Sequence, residues 1–332
     1  MKARPSRGAA KSPRPASTRI ALAPRKPLRR KRPALSATPP GATKAALSPR
    51  VRRLIASPAY LPADEDAGFL QQPDMCGVRL QLDYWKTESR LQRLGITDTV
   101  VVYGSTRIVS SSVARRRLAD AQRALAARPN APECLRAVHT ATRLLERSGY
   151  YEVARELGNR VGRTHDSAPP TLHIITGGGP GIMEAANRGA HEAGAPSIGL
   201  NISLPHEQFP NPYVTPELCF RFHYFAIRKL HLLERARAAV FFPGGYGTCD
   251  ELFEVLTLLQ TGKIAPLPVV LVGESFWRAA IHFDFLVDEG MISPEDLALF
   301  TFCETADEIW SVIGAHDATR AARAARAARA AR

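Results

Sequence analysis

The stretch Ala238-Ala239-Val240-Phe241-Phe242-Pro243-Gly244-Gly245-Tyr246-Gly247-Thr248-Cys249-Asp250-Glu251 decides the architecture. It opens with an apolar run, passes through a glycine turn and leads into the apolar-polar mixture Leu252-Phe253-Glu254-Val255-Leu256. That order reads as a buried strand, a tight turn and an amphipathic helix. Gly244, Gly245 and Gly247 let backbone N–H groups approach a ligand that side chains would hold away. The helix start behind them adds unsatisfied donors and the positive end of the helix dipole, which suits an anion, most simply a phosphate. Tyr246 and Asp250 belong to the same stretch. Glu251 has two readings here. Thr248 and Glu251 have the spacing of a capping box, with Thr248 as N-cap, and spacing alone favours that reading over work on a ligand.

The neighbouring sequence repeats the strand-turn pattern. Thr99 to Tyr103 is a β-branched run expected to be a strand buried on both faces, ending in Gly104-Ser105-Thr106-Arg107. Leu172 to Thr176 is a second strand; it runs into Gly177-Gly178-Gly179-Pro180-Gly181 and a helix from Ile182. Gly178 and Gly179 are candidates for a phosphate cradle. The dinucleotide fingerprint fails, because glycine is needed at position 182, where Ile182 stands. Further strands are expected over 197–202 and 268–273, and helices over 113–127, 132–147, 151–161, 225–235 and 275–288. A short helix from Pro294 and a last one over 305–313 close the core. This alternation implies an α/β class, a Rossmann-like doubly wound and mainly parallel sheet with helices on both faces. The turns at 104–106, 176–181 and 243–248 converge at its carboxyl edge, where ligands collect in open α/β sheets.

Charge is unevenly distributed. Residues 1–63 carry 16 Lys and Arg and no acid, and residues 318–332 carry five Arg and no acid, so the net +14 of the chain becomes −7 over residues 64–317. The expected organisation is a disordered basic tail over 1–63, a Rossmann-like domain over 64–317 with a helical insertion at about 112–163, and an Ala/Arg-rich tail over 318–332. Three readings of the N-terminal tail stay open: a solvated tail, a salt-sensitive contact to polyanions, and an organelle transit peptide. In the C-terminal tail, Arg320, Arg323, Arg326, Arg329 and Arg332 spiral around a helix rather than lining one face.

No apolar stretch approaches the roughly 20 residues that span a bilayer, and no secretory signal is visible. The five cysteines are odd in number and lack paired metal spacing, which fits reduced thiols in a cytoplasmic protein. Taken alone, Arg228, Lys229, Arg235 and Arg237 read as a solvated basic face, and His223 and His231 as packing residues.

Together, the segments at 177–187, 225–229 and 243–251 resemble the Lonely Guy family of nucleoside 5′-monophosphate phosphoribohydrolases, formerly labelled lysine decarboxylases. The similarity covers roughly residues 97–313. The family pattern P-G-G-x-G-T-x-x-E is met by Pro243 through Glu251, and its Arg-Lys pair by Arg228 and Lys229. The resemblance implies hydrolysis of the N-glycosidic bond of AMP, or of a related purine or cytokinin nucleotide, to free base and ribose 5-phosphate. It carries over Arg228 and Glu251 as the catalytic pair and Gly245, Gly247 and Thr248 as phosphate-side contacts. Thr257 matches a later family position and Glu207 the upstream substrate-binding acid. The resemblance also implies at least a homodimer. No metal and no cofactor are expected. The decarboxylase label finds no support in Lys229 or Lys263, which lack a pyridoxal-binding context. Two alternatives stand beside the enzyme: a non-catalytic nucleotide-binding or carrier module of the same fold, and a nucleic-acid-associated protein acting through its basic tails.

Overall fold

The run Thr99–Tyr103 forms a strand, β1, that is buried along its whole length. A computed structural model of the chain describes residues 47–166, 171–204 and 209–330. The chain divides into two units, residues 1–66 and 67–332. In the first, helix α1 (Pro49–Ile55) starts at Ser48, whose Oγ accepts a hydrogen bond from Val51 N at 3.4 Å, with Pro49 in the first turn. This helix lies within the stretch expected to lack structure. A serine cap followed by proline is a sufficient local start signal.

The second unit carries α2 (Ala67–Leu70), α3 (Cys76–Arg93), β1, α4 (Ser111–Ala127), α5 (Pro132–Glu146) and α6 (Gly149–Arg163). Then follow β2 (His173–Thr176), α7 (Ile182–Glu192), β3 (Ile198–Ile202), β4 (Cys219–Phe222) and α8 (Phe225–Glu234). Strand β5 (Ala236–Phe241), α9 (Tyr246–Gln260), β6 (Val269–Val272), α10 (Glu274–Ala280), α11 (Phe283–Asp288), β7 (Phe300–Cys303) and α12 (Ala306–Ala330) complete it. The strands form one seven-stranded sheet in the order β4-β3-β2-β1-β5-β6-β7, with every pairing parallel.

Successive side chains of a strand point to opposite faces, and the two faces of this sheet are both covered. Val100 and Val102 of β1 pack with α6, α7 and α12 through residues such as Leu157, Ala186 and Ile309. Val101 and Tyr103 pack on the other side with Leu91 of α3, Leu232 of α8, Leu252 of α9 and Trp277 of α10. The fold class is therefore the doubly wound α/β arrangement that the alternation implies.

The structure departs from the expected elements at the sheet's margins. Strands β4 and β7 are edge strands, and neither was foreseen. Each is four residues long and only partly buried, so neither shows the continuous apolar run of a central strand. The helix expected over 275–288 is two helices, because Ile281 adopts an extended conformation that ends α10. The last helix does not stop near 313 but continues to Ala330. No helix among the described residues is long and apolar enough to cross a membrane.

After β1 the chain builds outward through β2, β3 and β4, then returns to β5 on the other side of β1. The carboxyl ends of β1 and β5 thus flank a topological switch point, where a crevice opens.

Candidate functional site

A cavity of about 710 Å³ occupies that crevice. Gly104 to Ile108 line it after β1, and Pro243 to Thr248 with Glu251 line it after β5. The two loops are tied together: Ser105 N donates to Pro243 O and Ile182 N to Ser105 O, each at 3.1 Å. The backbone walls are therefore held from several strand ends at once.

Helix α9 begins at Tyr246, with Gly245 as N-cap and no side-chain cap. The expected capping box is absent. Thr248 is the third helical residue rather than the cap, and Glu251 is the sixth, beyond reach of the N-terminal donors. Thr248 is buried against Gly244, where any Cβ would collide with the threonine side chain. That packing, rather than a cap, sets the turn. The N–H groups of Tyr246, Gly247 and Thr248 have no acceptor among the described residues, so they remain free for an anion.

Arg228 reaches the same cavity from α8, and its Nη2 donates to Glu251 Oε1 at 3.1 Å. Both side chains are mostly buried, at 13% and 14% exposed. The guanidinium also lies over the Phe225 ring, 5.0 Å from its centroid. Its Nε is buried without a hydrogen-bond partner among the described residues. An unpartnered buried donor is costly in a dry site, and an oxygen of a bound ligand would satisfy it.

Helix α3 holds α8 at both ends. Asp83 Oδ2 accepts from His223 N at 2.7 Å and Tyr224 N at 3.0 Å, which anchors the start of α8. At the far end, Arg235 Nη2 donates to both oxygens of Glu88, at 2.7 and 2.8 Å. Glu88, His231 and Glu234 come close enough together to suggest a metal cluster. The Arg235 guanidinium already supplies the cation that Glu88 needs. His231 is fully buried, and burial lowers its pKa, so it stays neutral.

Burial raises the pKa of Glu251 to about 7, against the downward pull of Arg228 and Lys229. A carboxyl group near half-ionised at neutral pH is poised for acid–base work. Lys229 takes another course. Burial pulls its pKa down, but hydrogen bonds to Asp250 and Glu254 prevail and raise it. Its Nζ lies 2.6 Å from Asp250 and 3.2 Å from Glu254, outside the cavity lining. An amine held as a cation in this way does not form a Schiff base, which requires a depressed pKa.

The structure brings together Gly104, Ser105, Arg228, Gly244, Gly245, Tyr246, Gly247, Thr248 and Glu251 around one cavity. Lys229 and Asp250 pair with each other beside it, and Thr257 lies further along α9 on the exposed surface. Gly178 and Gly179 stand behind the wall. Gly178 has φ +70, and a Cβ there would lie 2.7 Å from Asn201 Oδ1. Asn211 donates to both glycine carbonyls, from N to Gly178 O at 2.8 Å and from Nδ2 to Gly179 O at 3.0 Å. Their turn is packed and hydrogen-bonded within the fold. Glu207 lies outside the described residues.

Several lining residues had no counterpart among the sequence candidates: Arg107, Leu144, Arg147, Asn201, Phe225 and Phe276. Arg107 follows the Gly104-Ser105-Thr106 turn, which was a usable signal. Leu144 lies on α5 and Arg147 caps its end, where nothing in the local pattern marks a site. Arg147 lies 5.5 Å from the centroid of the Phe276 ring.

The family described as "Possible lysine decarboxylase" matches residues 183–313. The chain is similar to the cytokinin riboside 5′-monophosphate phosphoribohydrolase LOG3 of Arabidopsis thaliana, at 32% identity over 49% of this chain and 74% of that protein. It is also similar to LOG7 of the same plant, a protein of the same descriptive name, at 30% identity over 49% of this chain and 73% of that one. Among solved structures, a Moco carrier protein from Chlamydomonas reinhardtii is 22% identical over 52% of this chain and 89% of that one, with a TM-score of 0.36. Arg228 and the Pro243-to-Glu251 motif fall within residues 183–313, and on the similarity to the plant proteins the chain belongs to the Lonely Guy family.

Proposed function

We propose that this protein hydrolyses the N-glycosidic bond of a nucleoside 5′-monophosphate, AMP or a related purine or cytokinin nucleotide, releasing the free base and ribose 5-phosphate. The observation that carries this reading is the buried Arg228–Glu251 pair beside the unoccupied N–H groups that open α9. The 5′-phosphate sits at the start of α9, against the backbone of Gly245 to Thr248. Binding energy at the phosphate, remote from the reacting carbon, then fixes the ribose next to Glu251.

Breaking the bond from C1′ to the base nitrogen sends the electron pair into the base, which leaves and takes up a proton. The ribose develops oxocarbenium character, as in glycoside hydrolysis. The Glu251 carboxylate stabilises that charge and takes the proton of the water that adds to C1′. Arg228 favours the ionised form of the carboxylate and orients it, and its free Nε meets an oxygen of the substrate.

Chromatographic measurement of adenine and ribose 5-phosphate released from AMP, and then from a panel of nucleoside monophosphates, tests this. Wild-type release that Glu251→Ala abolishes supports the reading. Nucleotide binding with no turnover, unchanged by that substitution, would leave a binding or carrier module instead.

The protein is further proposed to act as a homodimer. Val78, Leu82 and Trp85 form an exposed stripe along α3, 41%, 52% and 57% exposed, and Leu230 and Phe253 add apolar surface on α8 and α9. A second copy covering this layer would remove that surface from water.

A further inference from the structure

The hairpin of α4 and α5 encloses a second cavity, of about 530 Å³, that shares Arg107 and Leu144 with the first. Its floor is made of small apolar side chains, among them Ala114, Ala121 and Ala137. Three arginines stand around it: Arg107 from the loop after β1, Arg117 from α4 and Arg136 from α5. None of the three has a carboxylate partner among the described residues. Elsewhere on the same hairpin, Arg123 is paired with Asp120, Arg128 with Glu133 and Arg143 with Glu146. The acid that borders the groove, Glu133, is thus already engaged by Arg128. Three like charges around one groove repel each other, and the mildly acidic core of residues 64–317 makes this local excess of positive charge stand out. An anion bound between them relieves the repulsion and accepts the planar, charge-assisted hydrogen bonds that guanidinium groups give to phosphate.

We infer that the groove walled by Arg107, Arg117 and Arg136 is a second phosphate-binding subsite, continuous with the cavity that holds Glu251. It takes a phosphoryl group beyond the one at the start of α9. That group is carried either on the same nucleotide or on a separate molecule such as pyrophosphate. The inference rests on the proposed function only in placing the first phosphate at α9.

Calorimetric titration of the full chain, with Glu251→Gln as the common background to prevent turnover, by AMP, ADP, adenosine 3′,5′-bisphosphate and pyrophosphate tests it. Two charge-assisted contacts correspond to a gain of at least about a hundredfold for a ligand that reaches the groove. The double variant Arg117→Ala/Arg136→Ala should abolish that gain and leave AMP affinity within about twofold of that background. Arg115 and Arg116 lie on the same helix but not on the groove. The variant Arg115→Ala/Arg116→Ala removes equal charge and should preserve the gain. Gain with ADP or the bisphosphate, without added pyrophosphate binding, places both phosphates on one nucleotide. Pyrophosphate that binds alongside AMP and is lost in the groove variant makes the second ligand a separate molecule. The inference is overturned if neither ADP nor the bisphosphate gains over AMP and pyrophosphate does not bind alongside AMP, or if both double variants lose the gain equally. Binding is read without turnover, so failure of base release would sink the nucleosidase reading and still leave the groove to be decided by these titrations.

Discussion

Arg228 Nη2 donates to Glu251 Oε1 at 3.1 Å, joining two helices that pack on the same face of the sheet. The pair joins a segment before β5 to one after it, 23 residues apart in sequence. Glu251→Gln keeps the shape and an acceptor while removing the charge. It should lower kcat for base release by about a hundredfold or more, with KM within a few-fold, in the range expected for loss of a positioned acid–base group. Arg228→Lys retains the charge but not the planar fork, so steady-state kinetics should place it between wild type and Arg228→Ala.

The pH profile follows from burial. With the Glu251 pKa raised to about 7 and the carboxylate as the working form, kcat/KM should rise with unit slope below that pH and level off above it. Arg228 pulls this pKa down, so Arg228→Ala should move the inflection upward. A profile that instead falls as pH increases through 7 would make the protonated acid the working form and contradict the mechanism.

The same burial has a consequence for stability. In the unfolded chain Glu251 ionises near 4.5, and in the folded chain near 7. Below the lower value both states are protonated and the group is neutral in its effect. As pH rises from 4.5 to 7 the unfolded state releases its proton first, so folding stability declines. Above 7 the loss is complete, on the order of 3 kcal/mol at 1.36 kcal/mol per pKa unit. Glu251→Gln should therefore raise the melting temperature at about pH 8 and change it little at about pH 4. Equal effects at both pH values would refute this.

Gly244→Ala tests the origin of the turn. The added Cβ meets the Thr248 side chain, which is itself buried in the first turn of α9. Overpacking of this kind destabilises by about 1–3 kcal/mol, and thermal unfolding should show it. Base release should fall as well, because the free N–H groups of α9 move with the turn. Gly245→Ala is the control: a Cβ there meets nothing within 4 Å, so stability should stay near wild type.

Trp85→Arg places a charge at the most exposed residue of the α3 stripe. If two copies pair through this layer, light scattering should show the variant as a monomer under conditions where wild type is dimeric. The two proteins should have similar melting behaviour once dissociated, since Trp85 is more than half exposed in the single chain.

The five central strands were legible because burial on both faces forces continuous apolar runs. The edge strands were not. Arg221 is exposed between buried Phe220 and Phe222, so β4 carries only a short alternation that competing loop readings match equally well. The candidate pair was legible by motif, and the cavity walls from the insertion were not. Arg147 and Leu144 are ordinary positions of an amphipathic helix until the hairpin folds across the carboxyl edge. Sequence spacing also misplaced one feature: Thr248 to Glu251 suggested a cap, but α9 starts at Tyr246. Gly178 and Gly179, the candidate cradle, lie off the cavity lining, with their carbonyls bonded to Asn211.

By itself, then, the sequence determined the α/β class and the central strands. Those features depend on local periodicity and spacing, which the chain carries without reference to its partners. Only the tertiary structure decided that Glu251 is a buried carboxylate facing Arg228 rather than a helix cap. That outcome turns on where α9 begins and on how α3 anchors α8, and both depend on packing between segments far apart in the chain.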